Sequence, residues 1–531
     1  MNTLEIKPAP DSSNAIAKFT TWLSDRKNGA YWVLVFVVAS AFYGLTAQTT
    51  IPWQDSARFQ WRILTQDYFW LDGVGANAHP LLIVIGQIVK NIPIGDLFWR
   101  LNWISGLGMA VALANFMAVV MLLTNRRWVA LSFTAMFGLS HMIWWLATIT
   151  QTYPLNLTWM TLQLLLLIKL IRDPRWQRLA ILAFVAGVNL SLHGLALLMI
   201  PVEGLLVIYL IFRKELPLWS LGIAVVTYCS GAVLFIVLVI KIWMLTGNLH
   251  FALFDAFFGV AYDLVTNTKF LTEYTIPNAA IASLSFVNVL FPLAVVGWIK
   301  FRKRLGTTTA LVLAGITLID ILFVARLNAV EIWIFCLPAM TMIALAAAVG
   351  ANYLIDLSAG WRRAVIVTTI ASIVGMPIVY GVLPDVLQRF GVEVNRPRML
   401  PFRDELRYWI YPWKQNENSA QRFAEAAFQE AAPNGVIISD QTPFSVLLLE
   451  RWANPSFQGI GIRGNSFGRV KWPGSPLPSY NSSPSEFRTL LGERRLYVVS
   501  PIYIDAVDKG ILRDAKVEKL PGEVLYRVLW K

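Results

Sequence analysis

Along the chain, polar residues gather in short clusters between long apolar runs. The runs at 29–47, 98–124, 128–147, 155–171, 179–196, 197–212, 219–245, 281–299, 307–325, 332–355 and 364–384 approach the length a helix needs to cross about 30 Å of hydrocarbon. They predict an α-helical polytopic membrane protein of about eleven transmembrane helices. Basic clusters recur at every second connection: Arg26-Lys27, Arg126-Arg127, Arg172 with Arg175 and Arg178, Arg213-Lys214, Lys300 with 302–304, and Arg362-Arg363. All fall on one side, which the positive-inside rule makes cytoplasmic. An odd number of spans then leaves segment 1–28 in the cytoplasm and 385–531 outside. Segment 1–28 is polar and lacks the apolar core of a removable signal peptide, so the first span is read as the membrane signal.

Within the membrane domain, 29–384, the external loops 48–97 and 246–280 are far longer than turns require, and long ordered loops carry function. Residues 79–90 (HPLLIVIGQIVK) are apolar but too few to cross. They read as an interfacial helix lying on the outer leaflet, or else as the first half of a broken span. From Asp385 the composition turns soluble, with a helix-like run at 419–431 and strand-like runs at 436–439 and 495–499. That order suggests a small C-terminal soluble α/β domain. No glycine-rich phosphate fingerprint accompanies it.

Composition agrees with a membrane. The 531 residues are 56% hydrophobic and 15% charged, with 22 Trp and 30 Phe, and the mean hydropathy is +0.56, above what soluble chains carry. The net charge of +13 sits in the connections, which orients helices and gives no face for nucleic acid. Cys229 and Cys336 fall in separate apolar runs, so a disulfide has no support. No His-x-x-x-His or Glu-x-x-His spacing occurs, so neither a protein-built metal cage nor a cofactor is expected.

Candidate chemistry concentrates just outside the first span. Asp55 stands a few residues beyond its outer end, where a general base would meet a water-borne acceptor and a lipid-borne donor together. A sugar on a lipid phosphate already has a good leaving group. Its transfer needs alignment, a base and a cation near the phosphate. The plainer reading of Asp55, a helix cap, stays open. Arg58 has a guanidinium suited to a lipid phosphate, or is a snorkelling interfacial arginine. His79 opens the interfacial helix ahead of Pro80; it is either a phosphate or base partner or a helix-start residue. His193 near an outer span end is a ligand candidate or a satisfied interhelical residue. Arg326 follows the ninth span, with Glu331 close behind as a possible pair. Trp53, Trp61 and Trp70 flank the candidate site, as sugar-stacking rings or an interfacial belt. In the second long loop Asp255, Asp263 and Lys269 lie among aromatic residues and give a weaker signal. His141 and His250 are read as structural.

These motifs together resemble the GT-C superfamily of polyprenyl-phosphate-sugar-dependent glycosyltransferases, and within it the family that includes transmembrane protein 260, an O-mannosyltransferase. The family's Asp-Ser-Gly-Glu is similar to Asp55-Ser56-Ala57-Arg58, its His-Pro-Pro to His79-Pro80-Leu81, and its Arg-x-Asn-x-x-Ser to 100–105 (RLNWIS). Its Glu-x-Tyr corresponds to Gln151-Thr152-Tyr153 and its Asn-His to Leu192-His193. The resemblance covers about 50–200 well and the later spans loosely. It implies Asp55 as base and no metal; Arg58, His79, Gln151, Tyr153, His193 and Arg326 are the candidates for contact with the donor phosphate or substrate. Two carboxylates of the pattern are replaced here, by Arg58 and Gln151. The expected partners are a polyprenyl-phosphate-linked sugar, a protein or glycan hydroxyl acceptor, and membrane lipids. The expected location is the plasma membrane, in a bacterium the inner membrane with a periplasmic tail. A lipid-linked precursor transporter or flippase, and an inactive scaffold on this fold, are the alternatives. Sparse intramembrane charge and the absence of repeated halves favour the enzyme.

Overall fold

The computed structural model describes residues 26–68, 79–258, 275–328, 331–392, 400–464, 491–502, 512–513, 515–520 and 524–530. Seven helices among them are long and apolar enough to cross a membrane, and ten spans result if each of three bent pairs counts as one. Helix α1 (Arg26–Thr46) comes first, followed in the long outer loop by α2 (Gln54–Thr65) and α3 (Pro80–Lys90). Next come α4 (Leu97–Thr124), the pair α5 (Arg127–Gly138) and α6 (His141–Ala147), α7 (Tyr153–Arg172) and α8 (Trp176–Leu190). A 3-10 turn (Gly194–Leu198) leads into α9 (Ile200–Phe212), then the pair α10 (Ser220–Gly231) and α11 (Val233–Thr246), and α12 (Leu249–Phe258). The membrane part closes with α13 (Thr275–Ser283), α14 (Leu290–Leu305), α15 (Thr307–Ala325), the short α16 (Ile332–Phe335), α17 (Leu337–Leu357) and α18 (Ala359–Arg389).

Four expected spans look different in detail: 128–147 and 219–245 bend by 68° between α5 and α6 and by 70° between α10 and α11, and two others depart further. The run 179–196 is helical only over the 15 residues of α8, about 22 Å at 1.5 Å per residue and short of the hydrocarbon core. The run 281–299 is broken, because the helical segment ending at Phe286 meets α14 at 84°. Asn288 stabilises the break, with its Oδ1 accepting from Leu290 N (2.9 Å) and its amide donating to Ser285 O (2.9 Å). Asp263, Lys269 and Trp70 lie outside the described residues.

Three of the basic connections meet at one end of the bundle. Asp356 accepts from both Arg126 and Arg304, and Arg172 donates to Leu122 O (2.7 Å). Three connections far apart in sequence thereby share one surface. The opposite end carries α2, α3 and the C-terminal segment.

Glycines allow two helix pairs to touch backbone to backbone, as membrane helices do when small residues line their crossing. A Cβ on Gly297 of α14 would lie 1.9 Å from Ala346 O, and one on Gly350 of α17 would lie 2.0 Å from Leu293 O. Gly187 of α8 and Gly231 of α10 repeat the arrangement against Tyr228 O and Phe184 O, both at 2.1 Å. Gly297→Val is therefore expected to cost about 3 kcal/mol by forcing α14 from α17. Thermal unfolding in detergent measures this, and an unchanged midpoint would mean the two backbones are not in contact.

The C-terminal segment adds α19 (Glu405–Ile410), α20 (Ser419–Ala431) and α21 (Gln441–Ala453) to a sheet of β1 (Val436–Ser439), β2 (Gly461–Gly464), β3 (Leu496–Val498), β4 (Ala515–Lys519) and β5 (Tyr526–Trp530). Strand order is β2-β1-β3-β5-β4. β1 runs parallel to β2 and β3, and β5 is antiparallel to β3 and β4. All four β1 side chains are buried, as a central strand covered on both faces requires.

Candidate active site

The site is built on α2, which begins where the chain leaves the first span. Its sequence is strongly two-sided: Ser56, Ala57, Phe59, Gln60, Arg62 and Ile63 are buried, while the Asp55 side chain is 56% exposed. Polar residues pin the buried face. Gln60 Nε2 donates to Asn102 Oδ1 and Thr150 Oγ1, both at 2.9 Å. Asn102 also accepts from Thr150 N (3.0 Å) and Thr150 Oγ1 (2.9 Å), and donates to Gln48 O (2.9 Å). Ser105 Oγ donates to Gln151 O (3.1 Å) and accepts from Gln151 N (2.7 Å). Gln151 is buried at 7% exposure, and its amide donates to Ser56 Oγ at 3.1 Å. It braces α2 one residue from Asp55.

Asp55 pairs with Arg58 one turn along. The tail reaches this pair. With its amide oxygen turned to the guanidinium, Gln441 at the start of α21 accepts from Arg58 Nη1 and Nη2 at 2.9 and 3.0 Å. Around it the first loop and the tail are stitched together: Thr50 Oγ1 donates to Glu417 O (2.8 Å), Thr49 Oγ1 to Gln415 O (3.3 Å) and Trp53 Nε1 to Ser419 Oγ (2.7 Å). Trp53 is buried against Phe423, ring centroids 5.4 Å apart. It packs the tail onto the membrane domain and is neither a sugar platform nor part of an interfacial belt.

A second carboxylate arrives from a distant span. Glu331 Oε1 accepts from Gln54 Nε2 at 3.1 Å, next to Asp55, and the Tyr153 hydroxyl lies within electrostatic reach of both Asp55 and Glu331. The suggested Arg326–Glu331 pair does not form. Arg326 caps α15, is exposed, and makes no ion pair among the described residues. Sequence reasoning missed the approach of Glu331 to Gln54, beside Asp55 in the chain; its only signal was a charge next to a span end.

Rings connect these groups. The His79 imidazole stacks on His193 (5.0 Å, 16°) and meets Phe59 edge-on (5.6 Å). His193 lies 4.9 Å from Tyr153, which meets Phe335 at 5.7 Å. Their tautomers follow from their partners. His79 Nδ1 faces the Leu192 carbonyl, so it holds the proton and Nε2 is an acceptor. His193 Nδ1 accepts from Leu195 N at 3.1 Å, which places its proton on Nε2. Both Gln54 (φ 57°) and His79 (φ 53°) occupy the left-handed backbone region, strain of the kind that collects at functional sites.

Burial, with the Arg62 and Arg58 guanidiniums nearby, lowers the His79 pKa from 6.5 to about 3. The folded chain therefore binds this proton less readily than the unfolded chain. Stability from His79 is complete above pH 6.5 and declines as pH falls from there toward about 3. Unfolding midpoints measured against pH should drop in that window, and His79→Gln should flatten the drop. An equally steep profile in the variant would remove His79 as a cause.

In fold this multi-pass membrane bundle, with a polar site on loop helices at one end and a small α/β segment against it, is GT-C-like. The chain is similar to ArnT from Cupriavidus metallidurans bound to undecaprenyl phosphate, at 11% identity and TM-score 0.52 over 94% of this chain and 97% of that one. For the same protein in the apo state the values are 12%, 0.54, 94% and 98%. An Archaeoglobus fulgidus oligosaccharyltransferase tethered to an acceptor peptide containing the NVT sequon is similar at 10% identity and TM-score 0.50, over 95% of this chain and 74% of that one. More specifically, residues 76–217 match the family model described as protein O-mannosyl-transferase TMEM260 N-terminal domain. No curated protein matches the chain in sequence.

Proposed function

We propose that this chain is a membrane glycosyltransferase that moves a sugar from a polyprenyl-phosphate-linked donor to a hydroxyl of a protein or glycan acceptor. Its site faces the external side of the membrane, with segment 1–28 in the cytoplasm and the domain 385–531 outside, periplasmic in a bacterial inner membrane. The observation that carries this reading is the exposed Asp55, held at the outer end of the first span and paired with Arg58.

In the reaction, Asp55 takes the proton of the acceptor hydroxyl as its oxygen bonds to the anomeric carbon. The bond from that carbon to the donor phosphate oxygen breaks, and the lipid phosphate leaves with the electron pair. Arg58 exchanges its contact with Asp55 for the phosphate, which matches its fork of donors. His193 Nε2–H and Arg326 are further donors for that phosphate, and Tyr153 and His79 line the sugar. Gln151 acts through Ser56 by holding α2 in place. No step uses a metal or a cofactor. Among the relatives in structure, one holds undecaprenyl phosphate and another a tethered acceptor peptide, which supports a lipid-linked donor and a protein acceptor.

The test is reconstitution of the full chain in vesicles with radiolabelled polyprenyl-phosphate mannose in the outward leaflet. Label transferred to a peptide or glycan acceptor supports the reading. Label that only crosses the bilayer, still lipid-linked, would replace it with a flippase.

A further inference from the structure

A groove unrelated to the Asp55 site lies at the other end of the bundle. Helices α14 and α15 run antiparallel around a cavity of about 500 Å³ that opens toward lipid. Its walls are apolar: Trp298 and Phe301 on α14, Leu311, Ala314 and Leu318 on α15. The lining on α15 extends from Thr307 to Ile321, about 21 Å at 1.5 Å per residue. That exceeds the roughly 15 Å half-thickness of the hydrocarbon core, so the groove covers the depth of a whole leaflet.

Charge occurs only at its mouth; the one polar side chain deeper in the groove, Thr317, donates its hydroxyl to Leu313 O of its own helix (2.8 Å). Arg302 and Thr307 line the cavity there, at the arginine-rich end of the bundle where α14 stops and α15 starts. Two basic neighbours of Arg302 are turned elsewhere. Lys300 and Arg304 lie over the Tyr353 ring at 5.1 and 5.0 Å, and Arg304 also bonds Asp356 at 2.7 Å. Arg302 is exposed on the lipid side and makes no ion pair among the described residues. Beside it α15 begins at Gly306 with no side-chain cap, so its first amides and the positive end of its dipole meet the same mouth. A guanidinium, a hydroxyl and helix amides form an anion site, and a leaflet-deep apolar channel runs directly from it.

We propose that this groove holds one anionic phospholipid of the leaflet at the arginine-rich end, with its phosphate on Arg302 and the start of α15 and an acyl chain along Leu311, Ala314 and Leu318. Basic pockets between membrane helices recognise such head groups. A soluble anion would leave the channel unfilled, and a zwitterionic lipid would leave the positive charge unbalanced. The site is distinct from Asp55, which lies at the opposite end.

The experiment reconstitutes the full chain in nanodiscs of phosphatidylcholine with a minor fraction of phosphatidylglycerol. After exchange into mild detergent, retained lipids are quantified by mass spectrometry. The unmodified chain should retain phosphatidylglycerol above its share in the nanodisc. Arg302→Gln should lower that enrichment about fivefold, the scale of one basic residue's attraction to an anionic surface. Ala314→Trp, which fills the channel and keeps the charge, should lower it as well. Arg363→Gln, on the same side but outside the groove, should leave it unchanged. No enrichment in the unmodified chain, or equal losses in all three variants, would overturn the proposal, since diffuse attraction to the basic end predicts the latter.

Discussion

Asp55→Asn is expected to reduce sugar transfer by about 10²- to 10⁴-fold, the contribution of a well-placed general base, while the protein still inserts and folds. The amide keeps the shape of the carboxylate but has no oxygen basic enough to accept the acceptor's proton. Folding should survive because Asp55 is exposed and pairs, among the described residues, with Arg58; surface ion pairs contribute at most about 1 kcal/mol. Initial rates with saturating lipid-linked donor, compared at equal amounts of monodisperse protein, make the measurement. Transfer at the unmodified rate would take Asp55 out of the mechanism. Attention would then move to Glu331, the carboxylate that α16 brings to Gln54.

The second large effect concerns stability. Asn102→Leu should lower it by about 3–5 kcal/mol, summing the penalties of buried polar groups left without partners. Asn102 is 0% exposed. Its carbonyl serves Gln60, the Thr150 backbone and the Thr150 hydroxyl, and its amide serves the Gln48 and Thr50 carbonyls. Leucine satisfies none of them. Because this network positions α2, transfer should be lost together with stability, unlike in Asp55→Asn. A denaturation midpoint close to that of the unmodified chain would show that water replaces the asparagine.

Much of this architecture is legible in one dimension. Apolar length marks spans at or near where helices form, because a bilayer leaves backbone groups no partner except those within a helix. The run 79–90 is short, and α3 is a helix of 11 residues, too short to span. The tail's 419–431 helix and 436–439 strand appear where periodicity places them. Breaks within a span are not legible in this way. The 84° bend before α14 depends on Asn288 meeting backbone groups at both sides of it, and hydropathy averages such a residue away.

Of the candidate site residues, Asp55, Arg58, His79, Tyr153 and His193 converge in space, linked by ion pair, ring contacts and electrostatic reach. Gln151 is turned inward to Ser56, and Trp53 to Ser419. Neither orientation is written in residue type, since an amide or an indole suits a buried bond as well as a ligand.

By itself, then, the sequence determines how the chain divides between lipid and water, which connections share a side, and which short segments carry polar chemistry near the outer ends of spans. Those are properties of local composition and period. Tertiary structure alone decides that Glu331 comes to Gln54 across 277 positions, that Gln441 of the tail meets Arg58, and that two histidines stack. Such meetings depend on how helices cross and where glycines let them touch, and no local pattern in a single chain encodes that geometry.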